Sequence, residues 1–192
     1  MLTKPQTTAP GTQRAGTGGV TLWLTGLPSA GKSTVARAAA KVLAERGHRV
    51  EVLDGDEIRA VLGTSGFDRA ARDANVRRIG WLAELLARNG VTVLVASIAP
   101  YRETREQVRG SHEHAGIPFV EVHVAASVEC CVARDVKGLY ARQARGEISG
   151  VTGIDDPYEP PLAPELRLLT DREHVSRSVE TVIRYLTARE LV

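Results

Sequence analysis

The residues of this sequence best suited to chemistry form a glycine-containing loop, which reads GLPSAGKST. Its two glycines permit backbone angles and close approaches that a Cβ would block, so successive N–H groups can turn toward an anion. The pattern is typical of a phosphate-binding loop, in which Lys32 reaches the β- and γ-phosphates of a nucleoside triphosphate and Ser33 places its hydroxyl on Mg²⁺. The predicted nucleotide-binding residues are Gly26, Leu27, Pro28, Ser29, Ala30, Gly31, Lys32, Ser33 and Thr34.

The segments on either side of this loop are those that a phosphate-binding loop requires. Val20 to Thr25 is apolar, β-branched and aromatic, which predicts a buried strand. Apolar residues at helical spacing follow Lys32 and predict a helix whose positive end lies at the loop. A glycine-rich turn without a ligand is the alternative, and the complete eight-residue pattern in this context disfavours it.

Two aspartates follow the second predicted strand, Arg49 to Leu53. Asp54 and Asp56 are two residues apart, so in an extended segment they would share one face. Ligands of open α/β sheets bind beyond the carboxyl ends of the strands, which places both carboxylates beside the phosphate-binding loop. There a carboxylate can orient the water ligands of Mg²⁺ or accept a proton from an attacking hydroxyl. An Asp-rich turn that caps the next helix is the alternative.

Side chains suited to a second anionic substrate come next in the chain. Arg59 lies in a short predicted helix, Glu57 to Leu62, and is suited to bind an acidic group. A loop and the start of the following helix then supply one aromatic ring, one amide and three guanidinium groups: Phe67, Asn75, Arg72, Arg77 and Arg78. Stacking combined with bidentate anion recognition suits a nucleotide that carries a second anionic group. A solvated basic helix face is the alternative for at least one arginine.

The bulk properties predict one soluble, intracellular domain. A chain of 192 residues is long enough to bury a core without disulfides or metals, and its net charge of +2 does not indicate a polyanion-binding protein. The only cysteines, Cys130 and Cys131, are adjacent, which predicts buried thiols in a reducing cytoplasm rather than a structural disulfide. No apolar run reaches membrane-spanning length, and the first residues lack the apolar core of a signal peptide.

The order of the predicted elements defines the fold class. Strands and helices alternate, which predicts an α/β fold with a parallel sheet and right-handed crossovers. Met1 to Gly19 lacks apolar periodicity and is predicted to be a disordered leader to a domain over 20–192. Lys137 to Pro164 is rich in glycine, proline and charge, which predicts a mobile lid. The other predicted helices are Asp73–Asn89, Arg102–Ala115, Ser127–Asp135 and Val175–Ala188, and the other strands are Val91–Ala96, Pro118–Val124 and Leu166–Leu169.

Several segments of the sequence resemble the adenylylsulfate kinase family. They read GLPSAGKST, DGDEIR, GFDRAARDANVRR, IAPYRETREQVR and DVKGLYARQARGEISGVTGIDDPYEPPLAPE. The phosphate-binding loop is generic, but VKGLY and TGIDDPYE are specific to this family. The resemblance implies transfer of the γ-phosphoryl group of ATP to the ribose 3′-hydroxyl of adenylyl sulfate (APS), which gives 3′-phosphoadenylyl sulfate (PAPS) and ADP. It also implies a P-loop NTPase-type three-layer sandwich with five parallel strands, Mg²⁺, a homodimer, and a role in sulfate assimilation beside ATP sulfurylase.

The resemblance assigns roles to individual positions. It identifies Lys32 and Asp56 as catalytic, with Asp56 as the candidate base near the 3′-hydroxyl, and it implies that Ser33 and Asp54 lie at Mg²⁺. Phe67 is expected to stack on the adenine of APS. The residues expected to contact APS are Asp56, Arg59, Phe67, Arg72, Asn75, Ile98, Lys137, Gly138 and Leu139.

Two positions depart from the family pattern. Many members have Ser at the position of Ala99, a residue once proposed to carry a phosphoryl intermediate. Alanine has no hydroxyl, so we expect direct in-line transfer. Many members have Phe at the position of Val151, so we expect stacking on only one side of the adenine. A related kinase that acts on another nucleotide-linked hydroxyl is therefore an alternative. A nucleotide-dependent switch or pseudo-kinase is a third, but it predicts loss of Lys32 or the aspartates, which are present.

Overall fold

Five parallel strands form one sheet in this computed structural model, which describes residues 18–63 and 66–192. The strands are β1 (Val20–Thr25), β2 (Val50–Asp54), β3 (Thr92–Ala96), β4 (Phe119–Val124) and β5 (Leu166–Leu168). Their order across the sheet is β2-β3-β1-β4-β5. The prediction of an α/β fold with a five-stranded parallel sheet is therefore confirmed. The predicted leader lies outside the described residues except for Gly18 and Gly19.

The described residues form seven helices. These are α1 (Lys32–Glu45), α2 (Gly55–Val61), α3 (Arg69–Arg88), α4 (Arg102–His114), α5 (Val128–Arg134), α6 (Leu139–Ala144) and α7 (Val175–Ala188). The predicted bounds of α7 are correct. The prediction for α3 began too late, because the carboxylate of Asp68 accepts the N–H of Ala71 at 2.8 Å and caps the helix there.

Helix α6 was not predicted, because it lies in the segment whose glycines and prolines suggested only turns. The carboxylate of Asp135 accepts the N–H groups of Tyr140 and Ala141 at 3.1 and 2.9 Å, and so satisfies two donors at the start of α6. The hydroxyl of Tyr140 donates to the carbonyl of Pro28 at 3.0 Å. The helix is therefore fixed by contacts from outside its own sequence.

Each face of the sheet is covered by its own hydrophobic cluster. On one face, α1 and α7 supply apolar residues such as Leu43 and Ile183, which pack against Leu22 of β1. On the other face, α3 and α4 pack against Trp23 and its neighbours. Strand β1 is buried on both faces, which explains its continuous apolar run and gives the three-layer arrangement. Within 18–63 and 66–192, no helix combines the length and the apolar character needed to cross a membrane.

A close helix–helix contact predicts opposite effects for two identical substitutions. A Cβ added to Gly80 of α3 would lie 2.7 Å from Cγ2 of Val108 in α4, whereas a Cβ at Gly110 would meet no atom within 4 Å. We expect Gly80→Ala to lower the free energy of unfolding, because overpacking costs about 1–3 kcal/mol and outweighs the higher helix propensity of alanine. We expect Gly110→Ala to raise it by about 1 kcal/mol. Urea denaturation measures both, and a gain at Gly80 would contradict the close packing.

Candidate active site

The predicted phosphate-binding loop lies between the carboxyl end of β1 and the first turn of α1. Gly31 adopts a left-handed conformation with φ of 99° and serves as the N-cap of α1. Gly26 is required by packing, because a Cβ there would lie 2.4 Å from the carbonyl oxygen of Val124 at the end of β4. The loop is therefore held against the neighbouring strand, with the N-terminal end of α1 behind it.

Lys32 is buried within this loop, with 9% of its surface exposed. Its ammonium group donates to the carbonyl oxygens of Gly26 and Leu27 at 3.0 and 2.7 Å. Burial lowers the pKa of Lys32 to about 8, although the negative charge of Asp56 opposes the shift. The structure thus places one desolvated cation at the centre of the loop, where it can compensate the charge of a phosphate.

Ser33 and Asp54 join the loop to the second strand. The Ser33 hydroxyl donates to Oδ2 of Asp54 at 2.6 Å, and Oδ1 of Asp54 accepts the N–H of Asp56 at 3.0 Å. Asp54 is only 6% exposed. Burial alone would raise the pKa of its carboxyl group, but these two hydrogen bonds and the positive charges of Lys137 and Arg37 hold that pKa below its usual value. Asp54 is therefore a buried, ionised carboxylate that also caps α2, so the helix-cap alternative is realised alongside any role at a metal.

The expectation that Asp54 and Asp56 share one face is wrong. Strand β2 ends at Asp54 and α2 begins at Gly55, so the segment is not extended as that expectation required. The carboxylate of Asp56 is exposed and forms an ion pair with the ammonium group of Lys137. Lys137 lies just before α6, so the predicted base and the predicted lid lysine are in contact.

Arg59 and Phe67 lie together, as the predicted binding of a second nucleotide requires. The guanidinium carbon of Arg59 lies 4.9 Å from the centroid of the Phe67 ring, and Arg59 donates to the carbonyl of Gly66 at 2.8 Å. The Phe67 residue is 69% exposed. An exposed ring with a cation over one face can stack a base on the other.

Arg72 bonds to the predicted lid. Its guanidinium group pairs with the carboxylate of Asp156 at 3.0 Å and donates to the carbonyl of Gly150 and the hydroxyl of Thr152. It also donates to the carbonyl of Phe67 at 2.6 Å. Sequence reasoning assigned Arg72 to substrate alone and did not anticipate that it ties the start of α3 to the lid.

The remaining predicted residues lie at different depths. Asn75 of α3 is buried, and Ile98 is half-buried in the loop after β3. Gly138 is left-handed and caps α6, whose first residue is Leu139. The two positions that depart from the family pattern are both buried. Val151 is 5% exposed and belongs to the same core cluster as Leu27, so its side chain packs inside the protein.

Several groups that sequence reasoning missed contact the phosphate-binding loop. The guanidinium group of Arg134 lies 3.4 Å from the carbonyl oxygen of Ala30, and the hydroxyl of Thr170 donates to the same oxygen at 2.7 Å. These side chains follow β4 and β5, two strands whose carboxyl ends reach the same edge of the sheet as β1. Among these groups, only Tyr140, which bonds to Pro28, could have been found from the sequence, because it belongs to the family-specific VKGLY segment.

Tyr158, a second missed residue, links the predicted lid to β1. The hydroxyl of Thr25 donates to the carbonyl of Ile98 at 2.6 Å, so the Tyr158 hydroxyl, 3.1 Å away, is the donor to Thr25. Burial raises the pKa of Tyr158 to about 12 and keeps it protonated. Burial and the charges of Arg167 and Arg105 lower the pKa of the neighbouring His123 to about 4, so this imidazole is neutral.

Comparison with known proteins places this site in one family. The adenylylsulphate kinase family matches residues 18–169. A protein from Gloeothece citriformis (strain PCC 7424), named adenylyl-sulfate kinase, is 53% identical over 169 residues, which are 88% of this chain and 94% of that relative. The adenylyl-sulfate kinase of Myxococcus xanthus (strain DK1622) is 49% identical over 175 residues, 91% of this chain and 94% of the relative.

Solved structures agree with the sequence comparison. The Mycobacterium tuberculosis APS kinase CysC, solved in complex with AMPPNP and APS, has a TM-score of 0.85 and 44% sequence identity over 88% of this chain and 98% of the other. A hexameric APS kinase from Thiobacillus denitrificans has a TM-score of 0.69 and 36% identity, and covers 91% of this chain and 30% of its own.

The neutral His123 predicts how stability depends on pH. Its pKa is about 4 in the folded protein against a usual value of 6.5, so between these values only the unfolded chain takes up the proton. We expect the free energy of unfolding to fall as the pH is lowered through this window, and His123→Gln to lose part of that slope. His114→Gln is the control, because His114 is exposed at the end of α4. Denaturation at a series of pH values measures the change of the free energy of unfolding with pH. An equal slope in His123→Gln and the parent protein would contradict the prediction.

Proposed function

The chain belongs to the adenylylsulphate kinase family, and from this premise we propose that it transfers the γ-phosphoryl group of ATP to the ribose 3′-hydroxyl of APS, giving PAPS and ADP. The observation that carries the proposal is the family match over residues 18–169, which includes the phosphate-binding loop and the whole of the predicted lid. The cluster of Lys32, Ser33 and Asp54 supports an active kinase rather than a switch or pseudo-kinase, because each group that phosphoryl transfer needs is present.

The donor side of the reaction is assigned to the phosphate-binding loop. We place the phosphates of ATP against the loop from Gly26 to Thr34, where backbone N–H groups and the positive end of α1 favour anions. Phosphoryl transfer has a loose transition state that requires positioning and charge more than covalent catalysis. The desolvated ammonium of Lys32 can supply that charge in an environment of low polarity. Ala99 has no hydroxyl, which supports direct in-line transfer.

Ser33 and Asp54 fit a magnesium site. Their oxygens are 2.6 Å apart beside the loop, and the carboxylate is ionised, as the oxygen-ligand chemistry of Mg²⁺ requires. When bound, Mg²⁺ neutralises charge on the phosphates of ATP. We therefore assign Asp54 to the metal and its water ligands, and Ser33 to the metal and the loop.

The acceptor side is assigned to the exposed carboxylate of Asp56 and the side chains around it. Asp56 is accessible and lies near the loop, so it can accept the proton of the 3′-hydroxyl. Lys137, its partner in the ion pair, can hold that carboxylate in place and add positive charge at the same point. Phe67 supplies an exposed ring for the adenine. We assign the rest of APS to the other residues that the family resemblance implies: Arg59, Arg72, Asn75, Ile98, Lys137, Gly138 and Leu139.

The wider context is also a proposal. We infer one kinase domain over residues 20–192 with a lid over 137–164, and a cytoplasmic homodimer in sulfate assimilation. The two free cysteines support a reducing compartment. The hexameric relative from Thiobacillus denitrificans supports self-association. The substrate APS must be made by adenylyl transfer to sulfate, which supports a functional link to ATP sulfurylase.

Activity on APS tests the function directly. We expect the purified protein to form ADP and PAPS from ATP and APS, and to do so less well when APS is replaced by other nucleotides. Lys32→Ala should lose about 10²- to 10³-fold in turnover, because it removes a cation that stabilises the transferring group. Lys41→Ala is the control, since Lys41 is an exposed lysine on the same helix. Undiminished turnover of a folded Lys32→Ala protein would contradict the assignment of the loop. Preference for another nucleotide over APS would favour a related kinase that acts on another nucleotide-linked hydroxyl.

A magnesium titration should distinguish the roles of Asp54 and Asp56. We expect Asp56→Asn to lower turnover by about two to four powers of ten at any Mg²⁺ concentration, because it removes the base. Asp54→Asn should instead raise the Mg²⁺ concentration that gives the half-maximal rate. The measurement is turnover against Mg²⁺ at saturating ATP and APS. If extra Mg²⁺ rescued Asp56→Asn and not Asp54→Asn, the two roles would have to be exchanged.

A further inference from the structure

Arg105 lies at the centre of a buried network on the acceptor side of the site. This residue of α4 is only 2% exposed. Its Nε donates to the carboxylate of Glu121 at 2.8 Å, and its two terminal nitrogens donate to the carbonyl oxygens of Ala99 and Glu159, each at 2.7 Å. These partners belong to β4, to the loop after β3 and to the end of the lid. One planar side chain therefore joins three segments that are distant in sequence.

The first segment that it holds is the loop 97–100, which carries Ile98. Ala99 has a φ of 42°, a left-handed conformation that an alanine adopts only when its surroundings hold it. Thr25 bonds to the carbonyl of Ile98 on one side, and Arg105 bonds to the carbonyl of Ala99 on the other. The loop is thus fixed by two side chains from neighbouring elements.

The second segment is the end of the lid at Glu159. The N–H of Glu159 donates to the carbonyl of Pro100 at 2.9 Å, and its carboxylate accepts the N–H of Arg102 at 2.8 Å at the start of α4. The carbonyl of Glu159 accepts from Arg105. This end of the lid is therefore attached to the loop that carries Ile98, and Arg105 completes the attachment.

We propose that Arg105 is a positioning residue for APS, which holds Ile98 and the fixed end of the lid in one geometry before the substrate arrives. The inference rests on the proposed function, because Ile98 is assigned to APS there. A buried ion pair is weak evidence for stability, since desolvation offsets its attraction. The three acceptors are the stronger argument, because each bonds to a different nitrogen of the guanidinium fork, whereas the three donors of an ammonium group radiate from one nitrogen.

Arg109 provides a matched control. It lies one turn further along α4 and forms a bidentate ion pair with Glu165 at 2.8 and 2.8 Å, with its guanidinium group over the ring of Phe119. Like Arg105, it pairs with a carboxylate across the edge of the sheet. Its partners among the described residues are the carboxylates of Glu165 and Glu121, the latter shared with Arg105, and the ring of Phe119, rather than the backbone of the loop 97–100 or of Glu159. Loss of either arginine should therefore lower stability, but only loss of Arg105 should raise the KM for APS.

The test compares Arg105→Met, Arg105→Lys, Arg109→Met and Arg109→Lys in steady-state kinetics and thermal unfolding. We expect both Arg105 variants to raise the KM for APS by about tenfold or more, with less than about a twofold change in the KM for ATP, because a misplaced loop affects only the acceptor. The Arg109 variants should lower the unfolding midpoint and leave both KM values near those of the parent protein.

Each other outcome overturns the proposal. Equal effects of the Arg105 and Arg109 variants would mean that both act through stability, and equal changes in both KM values would remove the link to APS. Failure of Arg105→Lys to fold, when Arg109→Lys folds, would assign Arg105 to the fold alone. A parent protein that does not phosphorylate APS would contradict the proposed function instead, so the two failures are distinguishable.

Discussion

The hydrogen bond between Ser33 and Asp54 is the contact on which the arrangement of the site depends. It joins the first turn of α1, which follows β1, to the end of β2, although β3 lies between β1 and β2 in the sheet. The same carboxylate caps α2 by accepting the N–H of Asp56, and so fixes the backbone from which the exposed side chain of Asp56 extends. A single buried aspartate therefore sets the positions of the loop hydroxyl and of the candidate base.

Arginines that donate to backbone carbonyls hold the segments around this contact. Arg134 reaches the phosphate-binding loop, Arg72 reaches the lid near Gly150, and Arg105 reaches the lid at Glu159. Irregular segments lack the regular ladder of backbone hydrogen bonds, so their carbonyl groups need partners from elsewhere. A guanidinium group meets this need because it offers five donors in a fixed fork. The predicted lid, 137–164, is therefore anchored at defined points, while Lys137, at its start, is exposed beside Asp56.

Burial also separates the titratable groups of the site by role. Desolvation lowers the pKa of Lys32 to about 8 and that of His123 to about 4, whereas hydrogen bonds keep the buried Asp54 ionised. Burial disfavours the charged form of a cation and lowers its pKa, whereas two hydrogen bonds to a buried carboxylate favour its ionised form. The site thus combines the ionised carboxylate of Asp54 at the end of β2 with the desolvated Lys32 of the loop, which is the charge arrangement that phosphoryl transfer uses.

The sequence by itself determined the fold class, the parallel sheet and the identity of the phosphate-binding loop. These features follow from local periodicity and from glycines at fixed spacing, as the continuous apolar run of Val20–Thr25 illustrates. The family resemblance, carried by segments such as VKGLY, supplied the reaction and the expected site residues.

Only the tertiary structure decided how the side chains meet. It started a helix between Asp54 and Asp56, buried Val151 in the core, and formed α6 on a cap supplied by Asp135. It also gave Arg105 its three partners. The burial of Val151 and the network of Arg105 depend on contacts between residues far apart in the chain, and such contacts leave no period or spacing in the sequence from which to predict them.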